Sequence, residues 1–177
     1  TQVYVYAPAV GATAFIIGMS FYPEWYQQRV IAAAFMGPVT TFSYTQSQML
    51  LLFINFPWVL DLMRNFSLGE LFPHSFMVDL YENIICVNIP IICILSETMT
   101  GSGNLAVDDH DSRLRFDAHF YHGTSIDIFT HLTQVAHAGQ MQLYDYGPAE
   151  NMERYGTDTP TRVPLENINV PLAVLLG

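Results

Sequence analysis

The hydrophobic pattern of the first forty residues predicts two buried strands joined by a helix. Residues 3–6 form an apolar run that leads into a short turn, and residues 12–19 are small and apolar. Residues 30–36 form a second continuous apolar run, which ends at Gly37-Pro38. Apolar runs without polar alternation are typical of strands buried on both faces, and two parallel strands need a crossover that is usually helical. We therefore expect a parallel β-α-β unit.

The middle of the chain has a different pattern. Residues 40–123 contain helical segments rich in leucine, isoleucine, phenylalanine and methionine, interrupted by prolines. Beyond them, the spacing of Ile128, Leu132 and Val135 predicts another helix. A polar loop follows, and residues 170–176 predict a last buried strand. The pattern predicts an α/β protein with a helical insertion between two parts of its core.

The turn between the first strand and the first helix is the candidate functional feature. Residues 7–11 read Ala-Pro-Ala-Val-Gly, where a nucleophile elbow has G-x-S-x-G and lifts a serine oxygen above the sheet. Ala9 stands at the serine position between Pro8 and Val10, and a methyl group cannot attack a carbonyl. On these residues alone, the strand and helix of some other α/β protein is the simpler interpretation.

Composition restricts the partners. The chain has 177 residues, of which 51% are hydrophobic and 12% charged, and its formal net charge is −10. All six basic residues are scattered arginines. Nucleic acids and anionic membranes require clustered positive charge, so neither is an expected partner. The charged fraction is about half of that in ordinary globular domains, which predicts that something covers part of the surface.

Two apolar stretches and one tripeptide bear on the cellular location. Residues 49–63 are interrupted by polar residues and proline, and residues 84–95 are too short to cross a bilayer, so no transmembrane helix is expected. Asn65-Phe66-Ser67 is an acceptor tripeptide for N-linked glycosylation. Such a tripeptide is compatible with secretion, although it often arises by chance.

The cysteines and histidines predict neither a disulfide framework nor a metal site. Cys86 and Cys93 are too few to indicate the redox compartment. If residues 84–95 are one helix, the two cysteines lie two turns apart and cannot bridge. His119 and His122 could share a helical face, but no third ligand stands at an obvious spacing. We expect no metal and no cofactor.

Several short motifs lie along the second half of the chain. Residues 119–125 read His-Phe-Tyr-His-Gly-Thr-Ser, residues 131–134 read His-Leu-Thr-Gln, and residues 144–147 read Tyr-Asp-Tyr-Gly. Asn169-Val170-Pro171 opens the last predicted strand, and residues 71–74 read Leu-Phe-Pro-His. In order and spacing, these motifs resemble the acid lipase family, the α/β-hydrolases that include gastric and lysosomal lipases and many insect lipases. The resemblance covers nearly the whole chain but about half of a family domain.

The chain departs from the family at the catalytic positions. The family elbow reads G-H-S-Q-G, so Pro8, Ala9 and Val10 replace its histidine, serine and glutamine. The resemblance places the family's catalytic aspartate and histidine beyond residue 177 and the oxyanion-hole strand before residue 1. Of the family's cap cysteines, two have counterparts here and the third has none.

The resemblance implies a partial α/β-hydrolase fold, with parallel strands, crossover helices and a helical cap. Residues 1–39 are expected to form the elbow strand, its helix and the next strand. Residues 40–123 are expected to form the cap or lid, and residues 124–177 the returning helix, loop and strand. Half of a parallel sheet leaves unpaired edges, so we expect another polypeptide or further chain to supply the remaining strands.

The cap of a lipase covers an acyl pocket, so we expect an apolar cavity that still holds lipid or fatty acid. The alternative is that the same side chains pack on one another and fill it. The candidate lipid-binding residues are Phe53, Phe56, Trp58, Leu62, Ile84 and Ile91.

Together these features predict a catalytically inactive lipase-like protein, not an enzyme, that serves in storage or lipid binding, like the lipase-derived yolk proteins of insect eggs. The alternative is a fragment of an active secreted acid lipase, a serine ester hydrolase, whose serine was replaced or misassigned as Ala9. A deliberate inactivation would change the serine alone, whereas Pro8 and Val10 differ too. The expected location is extracellular or a storage compartment such as yolk granules.

Overall fold

A computed structural model describes most of the chain, and it covers residues 2–42, 45–66, 69–71, 81–89, 91–95, 109, 112 and 123–176. The chain divides into two compact units. Unit 1 comprises Thr1–Ser43 with Gln134–Gly177, and unit 2 comprises Tyr44–Thr133. The described strands are β1 Val3–Pro8, β2 Val30–Met36, β3 Glu70–Leu71, β4 Thr124–Ser125 and β5 Leu172–Leu175. The described helices are α1 Ala9–Phe21, α2 Pro23–Gln27, α3 Gln48–Asn55, α4 Trp58–Asn65, α5 Ile126–Ala138 and α6 Pro148–Tyr155, with a π-helix at Tyr81–Cys86 and a 3-10 helix at Leu165–Asn167.

Unit 1 is built on a parallel sheet in the order β1-β2-β5. Ala7 of β1 pairs with Phe35 of β2, and Ala34 of β2 pairs with Ala173 of β5. Helices α1 and α2 connect β1 to β2. This arrangement confirms the predicted parallel β-α-β unit and the α/β class.

The core of unit 1 lies between α1 and one face of the sheet. Ala12, Ile16 and Met19 of α1 are buried together with Ala33 and Phe35 of β2. Helix α2 packs closely on α1, since a Cβ at Gly18 would collide with the Tyr26 hydroxyl. Small residues on α1 therefore allow its close packing.

The other face of the sheet is open to solvent in unit 1. Tyr4 and Tyr6 are 74% and 62% exposed, and a hollow of about 340 Å³ lies between them and small residues of β2 and β5. All four residues of β5 are exposed as well. The predictions that β1 and β5 are buried and that β2 is buried on both faces were therefore wrong for this chain taken alone, because periodicity does not reveal whether a second layer covers the sheet.

Unit 2 has its own buried residues. Phe53 of α3 and Leu60 of α4 are buried, and the Phe53 ring meets the Phe129 ring edge to face at 5.5 Å. Arg64 of α4 donates to Asp127 of α5 at 2.7 Å and forms a salt bridge with Asp61 at 3.0 Å. Strands β3 and β4 pair antiparallel. Two contacts therefore connect the helices of unit 2. The ring contact connects α3 to α5, and Arg64 connects α4 to α5.

Cys86 and Cys93 form a disulfide, so the prediction that they cannot bridge was wrong. Their Cα atoms are 5.4 Å apart, whereas seven residues of continuous α-helix would separate them by about 10 Å. The chain is helical up to residue 88, leaves the helix at residue 89 and is helical again at 91–95. The sequence has a proline at position 90, which lacks the N–H that a continuous helix needs.

Candidate functional site

The junction of β1 and α1 has the backbone of a strained strand-to-helix turn. β1 ends at Pro8 and α1 begins at Ala9. Ala9 has φ 46°, and among the described residues it alone combines a positive φ with a side chain. A left-handed conformation costs an L-residue roughly 1–2 kcal/mol, and such strain is typical of functional turns and of the nucleophile elbow. The strained strand-to-helix turn therefore lies at the position where the sequence has alanine.

A threonine one helical turn later ties this junction to the end of β2. The Thr13 hydroxyl accepts from the Val39 N–H at 2.9 Å and lies 3.0 Å from the Val39 carbonyl oxygen. It is also 3.3 Å from the Ala9 carbonyl oxygen. No local pattern indicates this contact, because Thr13 and Val39 are far apart along the chain. Thr13 therefore helps to hold the turn against the neighbouring strand.

The surroundings of the junction are apolar. Pro8, Ala9 and Val10 are exposed, and the Tyr6 hydroxyl contacts the Met36 sulfur at 3.6 Å. A Cβ at Gly11 would meet nothing within 4 Å, so sterics do not require the one glycine kept from G-x-S-x-G. The described part of the chain has no cluster of three metal-ligating side chains. Ala9 itself offers no nucleophile.

A half-buried polar clamp explains two of the motifs quoted above. The Gln134 side chain accepts from the Asp145 N–H at 2.9 Å and donates to the Asp145 carbonyl oxygen at 2.8 Å. Fully buried Asn151 donates to the Asp145 carboxylate at 2.7 Å and accepts from the Tyr146 N–H at 3.0 Å. Asp145 also accepts from the Gly147 N–H at 2.9 Å. These partners give Asp145 a structural role, and sequence reasoning did not identify Asn151.

Aromatic side chains extend the clamp to the surface. The Tyr146 ring lies 4.6 Å from that of Tyr144, and the Arg154 guanidinium lies 4.1 Å above Tyr146. The Tyr155 hydroxyl donates to the Tyr144 carbonyl oxygen at 2.9 Å. Burial raises the pKa of the Tyr155 phenol, with a further contribution from Tyr146. Tyr155 therefore stays protonated as a donor at neutral pH.

The candidate lipid-binding residues occupy two kinds of environment in unit 2. Phe53 is buried against Phe129. The other five are between 46% and 59% exposed, namely Phe56, Trp58, Leu62, Ile84 and Ile91. Lipid binding by these residues stays a prediction.

Other predicted features lie at the edge of the described chain or outside it. Asn65 is the last residue of α4 and is exposed. Ser67 of its tripeptide, residues 72–74 and 119–122 of the quoted motifs, and therefore His119 and His122, lie outside the described residues. No helix among the described residues is long and apolar enough to cross a membrane.

Comparison with known proteins gives a consistent group of relatives. No protein-family model matches the chain. The chain is 28% identical over 151 residues to gastric triacylglycerol lipase of Rattus norvegicus, covering 80% of this chain and 36% of that protein. It is 26% identical over 186 aligned positions to gastric triacylglycerol lipase of Homo sapiens, covering 99% of this chain and 44% of that protein. Lipase member N of Homo sapiens is 25% identical over 179 positions, with the same two coverages.

The chain spans less than half the length of the relatives it matches. Its parallel sheet with crossover helices is consistent with part of an α/β-hydrolase fold, which confirms the predicted fold class. The similarity to several lipases supports a relationship between this chain and the acid lipase family.

Proposed function

We propose that this chain is part of a lipase-like protein that has lost ester hydrolysis and serves in storage or lipid binding. The observation that carries the proposal is Ala9, an alanine held at φ 46° where a strand passes into a helix. In a nucleophile elbow this position carries the attacking serine oxygen, and a methyl group at the corresponding position of this chain supports the loss of hydrolysis. Without an attacking oxygen, no acyl-enzyme forms at this position.

The neighbours of Ala9 support a natural loss of catalysis. Pro8 and Val10 stand where the family resemblance has histidine and glutamine. Pro8 also lacks a backbone N–H within the turn. A site that has lost its function tolerates several changes, whereas a deliberate inactivation would replace the serine alone. Changes at three adjacent positions therefore favour a natural loss of function.

Further polypeptide is proposed to complete the fold. The open sheet face exposes Tyr4 and Tyr6 around an apolar hollow, and β1 and β5 are the two outer strands of the described sheet. Outer strands carry backbone groups without a partner on one side, and parallel sheets are normally covered on both faces. The rest of the protein or a partner chain would pair with the outer strands and cover the open sheet face.

Secretion into an extracellular or storage compartment is part of the proposal. The Cys86–Cys93 disulfide supports it, because such bridges persist in oxidising compartments. Storage, including storage in yolk, rests on analogy at the level of fold. Lipid binding rests on the exposed apolar side chains of unit 2, such as Ile84 and Ile91.

The test uses the complete native protein with every copurifying chain. We expect no hydrolysis of short or long acyl esters and no labelling of this chain by a serine-directed covalent inhibitor. We also expect that Ala9→Ser restores little activity, because a general base and an oxyanion hole must come from elsewhere. Stoichiometric labelling of a residue in this chain, with parallel loss of activity, would contradict the proposal.

Lipid binding is tested separately. Organic extracts of the native protein are analysed by mass spectrometry, and binding is titrated by displacement of a fluorescent fatty acid. Extractable lipid with saturable displacement supports lipid binding. Absence of both leaves storage alone.

The alternative function is a fragment of a working secreted acid lipase. The left-handed backbone at position 9 favours it, because such strain is typical of a turn that carries a functional side chain. Sequencing the transcript and the peptide around position 9 separates the alternatives. A serine codon, or a serine peptide in the native material, supports the lipase.

A further inference from the structure

Helix α4 turns an apolar face to solvent. Trp58, Leu62 and Phe66 follow one another at intervals of four residues and are 59%, 46% and 71% exposed. Leu60, on the opposite face, is 1% exposed. Residues four apart lie on one side of a helix, so the three large side chains form one surface, called here the α4 stripe. Contiguous exposed apolar surface on a secreted protein is normally covered by something.

Asn65 lies on the same face. It follows Leu62 by three residues and Trp58 by seven, which places it about 10 Å along the axis from Trp58 and beside the α4 stripe. It is exposed and is the last residue of the helix, and Phe66 follows as the C-cap with φ −85° and ψ 17°. Asn65-Phe66-Ser67 is the one N-x-S/T tripeptide with a non-proline middle residue in the sequence.

The side-chain amide of Asn65 differs from those of two comparable asparagines. Asn55 and Asn88 donate to the carbonyl oxygens of Leu51 and Ile84, each at 2.7 Å. Within the described residues, no such bond holds the amide of Asn65. A glycan on the exposed Asn65 amide would therefore break no hydrogen bond among the described residues.

We propose that Asn65 carries an N-linked glycan whose first sugars cover the α4 stripe. The inference rests on the proposed secretion, since the glycosyl donor is found only in the secretory pathway. The Asn65 Nδ2 atom forms a bond to the anomeric carbon of a lipid-diphosphate-linked oligosaccharide. The bond from that carbon to the diphosphate oxygen breaks, the lipid diphosphate leaves, and the amide nitrogen loses one proton.

The glycan changes which part of unit 2 is open to lipid. Trp58 and Leu62 are in the α4 stripe and are covered, whereas Ile84 and Ile91 lie on other segments. Sugar hydroxyls present a hydrated surface in place of the three exposed apolar side chains. The modification therefore restricts lipid contact along α4.

Occupancy is tested on the native protein by peptide mapping. Peptide-N-glycosidase in heavy-oxygen water converts a glycosylated asparagine into a heavy aspartate, and we expect this mass shift at position 65. Asn55 and Asn88 are the matched controls and should stay unchanged. An unmodified Asn65 peptide from protein recovered outside the cell overturns the proposal.

A second experiment separates the site from the proposed secretion. The complete polypeptide is directed into the secretory pathway of eukaryotic cells with a foreign leader. Ser67→Ala should abolish a glycosidase-sensitive gel shift, and Ser67→Thr should keep it. If the secreted wild-type protein shows no shift, the Asn65 site is wrong whatever the native location.

Shielding of the α4 stripe by the glycan is tested by chromatography. Enzymatic trimming of the glycan should increase retention on a hydrophobic-interaction column, because the α4 stripe becomes accessible. The increase should be lost in Trp58→Ser, which removes the largest side chain of the stripe. Equal retention before and after trimming of the wild-type protein would overturn the shielding role.

Discussion

Ala9 carries backbone strain that no described feature of its side chain requires. Its φ of 46° lies in the region where a Cβ costs an L-residue roughly 1–2 kcal/mol. The surrounding strand, helix and Thr13 contacts hold the turn in place. The contacts around the turn therefore determine its backbone conformation, and the residue at position 9 adopts the left-handed φ that this conformation requires.

Replacing Ala9 with glycine should therefore stabilise the protein. We expect Ala9→Gly to raise the free energy of unfolding by about 0.5–1 kcal/mol, since relief of strain exceeds the added chain entropy. Ala14→Gly, at an exposed interior position of α1, is the control and should lower it by about 1 kcal/mol. Denaturant unfolding of the complete protein measures both. Similar losses in the two variants would show that position 9 is not strained.

An exposed ion pair gives a pH prediction at the same scale. Arg162 donates to Glu166 at 2.8 Å, and this hydrogen bond lowers the pKa of the Glu166 carboxyl. A lowered folded-state pKa means stability that is present above the ordinary pKa of glutamate and lost as the pH falls through the lowered value. Because the pair is exposed, its effect on stability is small. NMR titration should find the Glu166 pKa below the ordinary value and raised toward it in Arg162→Gln, since a backbone hydrogen bond also lowers this pKa and remains. An unchanged pKa in that variant would contradict the assignment.

At the scale of elements, the close packing of α1 on α2 depends on Gly18. A Cβ there would overlap the Tyr26 ring, which also packs edge to face on Phe15 at 6.0 Å and on Trp25 at 4.9 Å. These two ring contacts oppose a displacement of the Tyr26 ring. Overpacking of this kind costs about 1–3 kcal/mol.

Gly18→Ala should therefore destabilise the protein although alanine is the better helix former. We expect a net loss of about 1 kcal/mol, which is the overpacking cost less a helix-propensity gain of up to 1 kcal/mol. Gly11→Ala is the matched control on the same helix, because its Cβ would enter open space and the variant should be neutral or more stable. Thermal unfolding compares the two. A Gly18→Ala protein as stable as Gly11→Ala would mean that Tyr26 moves aside.

Several elements were predictable because their signals are local. The apolar runs of β1 and β2 identify strands, and the spacing of Ile128, Leu132 and Val135 identifies a helix. The disulfide was not predictable in this way. It depends on how the chain turns after residue 88, and the proline at position 90 signals a break without specifying that turn.

At the scale of the whole molecule, the open sheet face is the feature that most needs a partner. Tyr4 and Tyr6 border a hollow floored by small residues of β2 and β5. Its surface is mostly carbon, and burying it against another layer would give about 25 cal/mol for each Å² removed from water. The proposed remaining polypeptide would form that layer.

A charge on this face should destabilise the complete protein. Ala34 lines the hollow, and Ala34→Asp would bury an unpaired carboxylate beneath the proposed layer, at a cost of several kcal/mol. Ala14→Asp, on the exposed side of α1, should cost less than about 1 kcal/mol. Secreted yield and melting temperature are the measurements. Equal behaviour of the two variants would show that this face stays open in the complete protein.

Residue chemistry and local periodicity are properties of the chain before it folds. They are enough to show that the side chain of Ala9 is not a nucleophile and that the first forty residues form a parallel β-α-β unit. Contacts between distant residues are different in kind. Gln134 meets Asp145, and Cys86 meets Cys93, because the chain turns at particular places, and Phe53 is buried while Trp58 is exposed because of what lies opposite each side chain. Periodicity specifies the faces of an element but not the surface against which each face packs, so the tertiary structure alone decided these contacts.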